Sequence, residues 1–332
     1  MPPTLVRVFY PTTNARVVLR TDADWNAVVE PLGPPEGGTC WSFAVESSEP
    51  FFYFKPCLVD PSGDFRWSVG ANYLAVASVP GPRDAYPYFF EQAGGHITDA
   101  VDVADSGHRV RVYRPPGYDE NTLKHYPVLY MQDGANIFFK DEAFLGRDWE
   151  VDETLDLLDS MNLVHKVLVV GIYAGDRMRE YTRPGYQEYA DGIVGAIKPL
   201  VDRSFRTLPG PATTAVMGSS LGGVVSFYLG WQRPDVFGMA ACLSSTFGYR
   251  DDLFERVARE PKRNVRFYLD SGWPRDNYEA TQAMRDLLIH RGYEPGRDLL
   301  YFAFPGQSHD ERAWAGRIHL PFQFFFGKTY RR

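Results

Sequence analysis

The spacing of hydrophobic positions changes character once along the chain, near residue 95. Before that point the apolar residues come in short runs, at 6–10, 15–21, 41–45, 51–59 and 73–77, rich in β-branched and aromatic side chains. Turn-forming clusters at 33–38 and 60–63 separate them. Short strands at such intervals predict a small β-sandwich. Its rings are numerous: Trp25, Trp41, Phe43, Phe52, Tyr53, Phe54, Trp67 and Tyr73. They read first as a core with a docking face, and second as a sugar-binding or substrate-gating surface. Residues 80–87, Pro-Gly-Pro-Arg-Asp-Ala-Tyr-Pro, read as a linker.

Beyond residue 95 the pattern alternates between strands and helices. Residues 97–103 and 110–113 alternate as a hairpin does, and 114–118 break the run. Residues 128–131 and 166–173 are continuous apolar runs suited to strands buried on both faces. Residues 149–161 carry Trp149, Val151, Leu155 and Leu158 on one helical stripe. Helix-like 186–202 precedes the run Thr213–Thr214–Ala215–Val216–Met217, and an apolar helix follows at 224–231. Strands at 239–243, 265–269 and 299–304 have helices at 251–259 and 278–291 between them. Such alternation predicts a mostly parallel sheet with helices on both faces, whose ligands sit beyond the carboxyl ends of the strands. The division expected is a sandwich domain over 1–90 and an α/β domain over 91–332.

Composition narrows the function classes. A formal net charge of −7, with both signs interspersed, disfavours nucleic acid and anionic membrane as partners. The three cysteines have no metal spacing, and the N-terminus lacks a basic-then-apolar leader. A cytoplasmic protein with free thiols is the expectation. No His/Asp/Glu cluster has metal-ligand spacing and no phosphate-cradling loop is present, so a site without metal or cofactor is expected. The aromatic N-terminal face suits a homodimer.

The candidate chemistry centres on Gly218–Ser219–Ser220–Leu221–Gly222, set between a strand and a helix. In that context Gly-x-Ser-x-Gly reads as a nucleophile elbow, in which a strained turn lifts the Ser220 hydroxyl off the sheet and crowded backbone two residues either side leaves no room for side chains; its other reading is a small-residue helix start that Ser220 caps. A serine hydroxyl needs a base. Of seven histidines, His309 alone follows the last apolar strand, with Gly306 letting the loop turn back. The base needs an acid to hold its tautomer, and the chain order Ser, acid, His is expected for this architecture. The strand over 265–269 leads into Asp270 and, past Gly272 and Pro274, Asp276. Asp276 is the preferred acid. A cap for the following helix is its other reading, and Asp270, at the strand end, remains the alternative acid. The amide of Leu221 supplies one oxyanion donor; the loop after 128–131 supplies the other, Ala135, with Asn136 as understudy. Asn136, Trp273 and Trp314 are candidate substrate contacts, since they flank the oxyanion loop, the acid and the base.

Four segments, Tyr130 to Asn136, Met217 to Gly223, Leu269 to Gly272 with Asp276 to Glu279, and Pro305 to Glu311 with Ala313–Trp314, resemble in order those of esterases of the esterase D and enterochelin-esterase type. The resemblance spans about residues 95 to 327. It implies an α/β-hydrolase fold, preceded by an immunoglobulin-like domain similar to glycogen-binding modules. It also implies a serine carboxylic-ester hydrolase acting on a small or medium ester through Ser220, Asp276 and His309, with the amides of Ala135 and Leu221 as oxyanion hole. The spacing from Gly272 to Asp276 is longer than in feruloyl members. Two other outcomes stay open at this point: acyl transfer by the same triad, and a carbohydrate-binding protein with a decayed hydrolase domain.

Overall fold

The computed structural model describes residues 3–328, which divide into two compact units. The first comprises the chain up to Gly95 together with Pro115–Lys124 and Asp156–Leu163. Its strands are β1 (Thr4–Phe9), β2 (Arg16–Thr21), β3 (Asp24–Val29), β4 (Cys40–Val45), β5 (Phe51–Val59), β6 (Phe65–Trp67), β7 (Tyr73–Val76) and β8 (Arg83–Ala85). They form two sheets, β4-β1-β8 and β3-β2-β5-β6, with β7 also pairing β5. The inward residues of both sheets, Val6, Val8, Val17, Leu19, Phe43, Phe52 and Phe54 among them, make one core. Alternation along each strand produces this, because successive side chains point to opposite faces.

The predicted linker departs from expectation. Residues 83–85 are β8, running parallel to β1 with Val6 opposite Arg83 and Val8 opposite Ala85. Two prolines and a glycine hide three residues that satisfy an otherwise open sheet edge. Arg83 fixes the turn by donating to the carbonyls of Val76 at 2.7 Å and Gly81 at 2.8 Å. Strand β3 also lies outside the five apolar runs. It is a largely exposed edge, so it has no apolar period to read. The segment 115–124 joins this unit through Glu120, whose carboxylate accepts the backbone N–H groups of Phe89, Phe90 and Glu91.

The second unit holds a nine-stranded sheet: β9 (His96–Ile97), β10 (Val101–Val103), β11 (His108–Arg114), β12 (Val128–Met131), β13 (Leu168–Ile172), β14 (Thr214–Ser219), β15 (Met239–Leu243), β16 (Arg266–Trp273) and β17 (Leu299–Pro305). The order is β10-β11-β13-β12-β14-β15-β16-β17, with β9 on β11. From β13 to β17 every neighbouring pair is parallel, while β11 runs antiparallel to β13. Strands β12 to β15 are buried at every residue, as expected of strands covered on both faces. Strand β16 is longer than the apolar run suggests. Asp270 therefore lies within the sheet, opposite Leu243 and Phe302, and not at the strand's end. The single helix predicted over 186–202 is interrupted: Gly185–Gly192 and Lys198–Ser204 flank a wider turn at Ile193–Ile197. Pro199 lacks the N–H that an unbroken α-helix would require there.

Candidate active site

Ser220 stands between β14, a central strand, and the helix Leu221–Gln232. Its backbone has φ 56° and ψ −122°, a conformation non-glycine residues avoid and one that costs roughly 1–3 kcal/mol. The surroundings hold it there. Its N–H donates to Leu243 O at 2.9 Å, and the helix behind it is buried from Leu221 through Trp231. Gly218 is needed for the same turn, since a Cβ at that position would lie 2.5 Å from Gly222 O.

Beyond β16 and β17 the acid and imidazole candidates meet. His309 Nδ1 lies 2.5 Å from Asp276 Oδ1. A carboxylate oxygen only accepts, so Nδ1 carries the proton and Nε2 is left as the free lone pair. Asp276 is 1% exposed. Its Oδ2 accepts from the Ser244 hydroxyl at 2.5 Å, the Gly272 N–H at 2.6 Å and Arg317 Nη2 at 3.3 Å. Burial by itself would raise the carboxyl's pKa. The hydrogen bonds from His309, Ser244 and Gly272 outweigh it and hold the group below the ordinary carboxylate range. Gly272 is required at this approach, because a Cβ there would sit 2.2 Å from Gln307 O. The hydrogen bonds of His309 run to this side of the ring; among the described residues none joins it to Ser220 Oγ.

Asp270 does not reach His309. It is fully buried in the sheet, where the Tyr268 hydroxyl donates to Oδ2 at 2.8 Å and Arg317 Nη2 lies 3.2 Å from Oδ1. Burial pushes its carboxyl up to about 6, against the opposing pull of Arg317 and Tyr268.

The oxyanion candidates are presented by two first turns. Ala135 lies in the short helix Gly134–Asn136 after β12, and Leu221 begins the helix after Ser220. Amides so near a helix start have no acceptor within the helix. The Asn136 N–H is already spent on Asp133 O at 2.8 Å, which leaves Ala135 as the better-placed donor. The Asn136 side chain accepts from the Phe144 N–H at 2.9 Å, and its carbonyl accepts from Trp149, so it ties down the following loop. Asp133, in the left-handed region at φ 57°, sets the direction of this turn. A two-pronged bond from Arg177 holds it, Nε to Oδ1 at 2.8 Å and Nη2 to Oδ2 at 3.1 Å. Arg177 thus holds the Asp133 carboxylate, two residues before Ala135.

Of the two tryptophans, Trp273 is half-exposed beside Tyr278, with ring centroids 6.5 Å apart. Trp314 is buried. Its ring meets His309 edge-on at 5.1 Å, and its N–H donates to Ser244 Oγ at 2.9 Å. The structure therefore sets it behind the imidazole as a support. Sequence reasoning missed Ser244 and Arg317. Ser244 follows β15 at φ 44°, and Arg317 lies past the helix Glu311–Ala315. Neither belongs to a motif. The one available signal was that Ser244 ends an apolar strand, as the other site residues do. Among the described residues no group of three or more His, Cys, Asp or Glu is placed to hold a metal ion, and no helix is long and apolar enough to cross a membrane.

The chain is 24% identical over 161 residues to the uncharacterized protein YbbA of Bacillus subtilis, covering 43% of this chain and 58% of that one. It is 22% identical over 241 residues to an endo-1,4-beta-xylanase/feruloyl esterase of Xylanibacter ruminicola, covering 70% of this chain and 31% of that one. The chain thus spans less than two thirds of the length of either curated relative. Among solved structures, the enterobactin esterase FES of Shigella flexneri superposes with a TM-score of 0.56 at 15% identity, over 97% of this chain and 92% of that one. At that identity the likeness establishes the fold, an α/β-hydrolase fold with a β-rich N-terminal region. The model of the family described as Putative esterase matches residues 104–315, well over half of the sequence, and the chain belongs to this esterase family of carboxylic-ester hydrolases.

Proposed function

We propose that this chain hydrolyses a small or medium carboxylic ester through an acyl-enzyme on Ser220. In this reading Ser220 Oγ attacks the ester carbonyl and His309 Nε2 takes its proton. The oxyanion rests on the amides of Ala135 and Leu221, each worth about 3 kcal/mol of transition-state stabilisation. The imidazolium returns the proton to the leaving alcohol. A water activated by the same nitrogen then releases the acid. Asp276 keeps the proton on Nδ1 throughout and offsets the imidazolium charge. The Ser220–His309 hydrogen bond belongs to the substrate-bound state, since such catalytic bonds commonly tighten only when substrate is bound.

The observation that carries the reading is the 2.5 Å contact between His309 Nδ1 and a buried, fully hydrogen-bonded Asp276, because it leaves Nε2 as a base. Family membership and the strained backbone of Ser220 support it. Substrate preference is proposed from the half-exposed Trp273 ring, which suits an aromatic or sugar-bearing ester. The test is Ser220→Ala, assayed with p-nitrophenyl acetate and a fluorophosphonate probe. Turnover should vanish with the far-UV spectrum unchanged, and the probe should label Ser220 in the unmodified protein. Full turnover in Ser220→Ala would refute the mechanism. A panel of acetyl, feruloyl and siderophore-type esters then ranks substrates.

A further inference from the structure

Four buried side chains behind the His309–Asp276 pair form a closed group that the ester mechanism does not itself require. Arg317 is 3% exposed and Asp270 is fully buried. Arg317 Nη2 donates to Ser244 Oγ at 2.5 Å and to Asp276 Oδ2 at 3.3 Å, and lies 3.2 Å from Asp270 Oδ1. Its Nε and Nη1 have no hydrogen-bond acceptor among the described residues, so the cation acts through one nitrogen that faces two carboxylates. A buried guanidinium with two idle donors is a costly way to brace a loop. The guanidinium carbon of Arg317 lies over the Phe304 ring, 5.2 Å from its centroid.

We propose that Asp270 and Arg317 are positioning residues that set the basicity of His309, Asp270 drawing on the Arg317 cation so that Asp276 is not neutralised and keeps its charge for the imidazole. The inference rests on the triad reading given above. With two carboxylates and one guanidinium, the group carries one net negative charge next to a ring that becomes cationic during turnover. Ser244 keeps the geometry fixed: its hydroxyl donates to Asp276 and accepts from both Trp314 and Arg317, which uses all of its bonding capacity. The other groups facing Asp270 are the Tyr268 hydroxyl on its own strand, the Cys242 thiol on β15 and the Tyr301 hydroxyl on β17. Burial raises the pKa of all three, so none supplies a competing charge near neutral pH.

Removing the Asp270 charge should leave Arg317 to Asp276 alone. Above about pH 6, where Asp270 is ionised, the carboxylate's hold on the imidazolium then weakens, and the acidic limb of the kcat/KM profile moves to lower pH. Taking away the cation as well should undo the shift. The experiment compares p-nitrophenyl acetate profiles of the full chain, Asp270→Asn, and the double variant Asp270→Asn with Arg317→Met. A lowered limb in the single variant that returns to within about 0.3 unit in the double supports the proposal. An unmoved limb in Asp270→Asn, or a double variant displaced further than the single, overturns it; a merely structural role predicts that second pattern. If Asp270→Asn does not fold, Asp270→Ser removes the same charge with less bulk and carries the same prediction. Fluorophosphonate labelling separates the two levels. No adduct on Ser220 in the unmodified protein defeats the triad reading and this inference with it. Labelling with an unmoved limb defeats this inference alone.

Discussion

Replacing Asp276 by Asn tests the site most severely, because the carboxylate is asked to accept on both sides. Oδ1 faces His309 Nδ1 at 2.5 Å, while Oδ2 takes hydrogen bonds from Ser244, Gly272 and Arg317. An amide has only one acceptor oxygen. Turning its NH2 towards three donors would strand them at about 1–3 kcal/mol each, so the oxygen stays on that side. The NH2 then points at Nδ1, which must give up its proton, and Nε2 carries it instead. An imidazole in that tautomer cannot take the Ser220 proton. Wrong-tautomer variants of serine hydrolases lose about 10⁴ in kcat, which is roughly 5.5 kcal/mol of barrier. Exchanging charge-assisted bonds for neutral ones should also lower stability by about 1.5–3 kcal/mol. Initial rates with p-nitrophenyl acetate, beside circular dichroism and urea denaturation, measure both effects. A folded Asp276→Asn within tenfold of the unmodified rate would show that the short contact has no part in turnover, and the assignment would fall.

Three further perturbations follow from the same geometry. Gly218→Ala should abolish activity and cost about 1–3 kcal/mol in urea denaturation, since its Cβ would need the 2.5 Å gap to Gly222 O to open. Arg177→Met should lower kcat about tenfold with little change in KM, because Asp133 loses its two-pronged partner and the Ala135 amide loses its aim; Arg177→Lys should recover only part of the rate. Asp270 should leave a signature in stability. Its carboxyl sits near 6 in the fold, above its ordinary value, so the folded state holds the proton more tightly than the unfolded chain. Its contribution therefore falls as pH rises from about 4 to 6, by roughly 3 kcal/mol over some two units. The stability difference between the unmodified chain and Asp270→Asn should change by that amount between pH 4 and 7, and parallel curves would contradict the buried-carboxylate account.

The sequence by itself determined the parts of this protein that are local. The buried runs at 128–131 and 239–243 are strands because nothing polar interrupts them, and their parallel pairing follows from alternation with helices. Gly218 was legible because the Gly222 backbone crowds it, whereas a Cβ at Gly222 would meet the side chains of Asp133 and Gln132 at 3.1 and 3.2 Å, which the sequence did not show. What lay beyond reach was anything set by partners distant in the chain. Residues 83–85 read as a linker because their pairing with β1 is decided more than seventy residues away. Asp270 and Asp276 are six positions apart and chemically alike; only the fold sends one into the sheet beside Tyr268 and the other to the imidazole. Ser244 and Arg317 belong to no motif, yet they meet at 2.5 Å behind the acid. Periodicity reports which face of an element is buried. Which charges meet in that buried space depends on how several strand ends converge, and tertiary packing alone decides that.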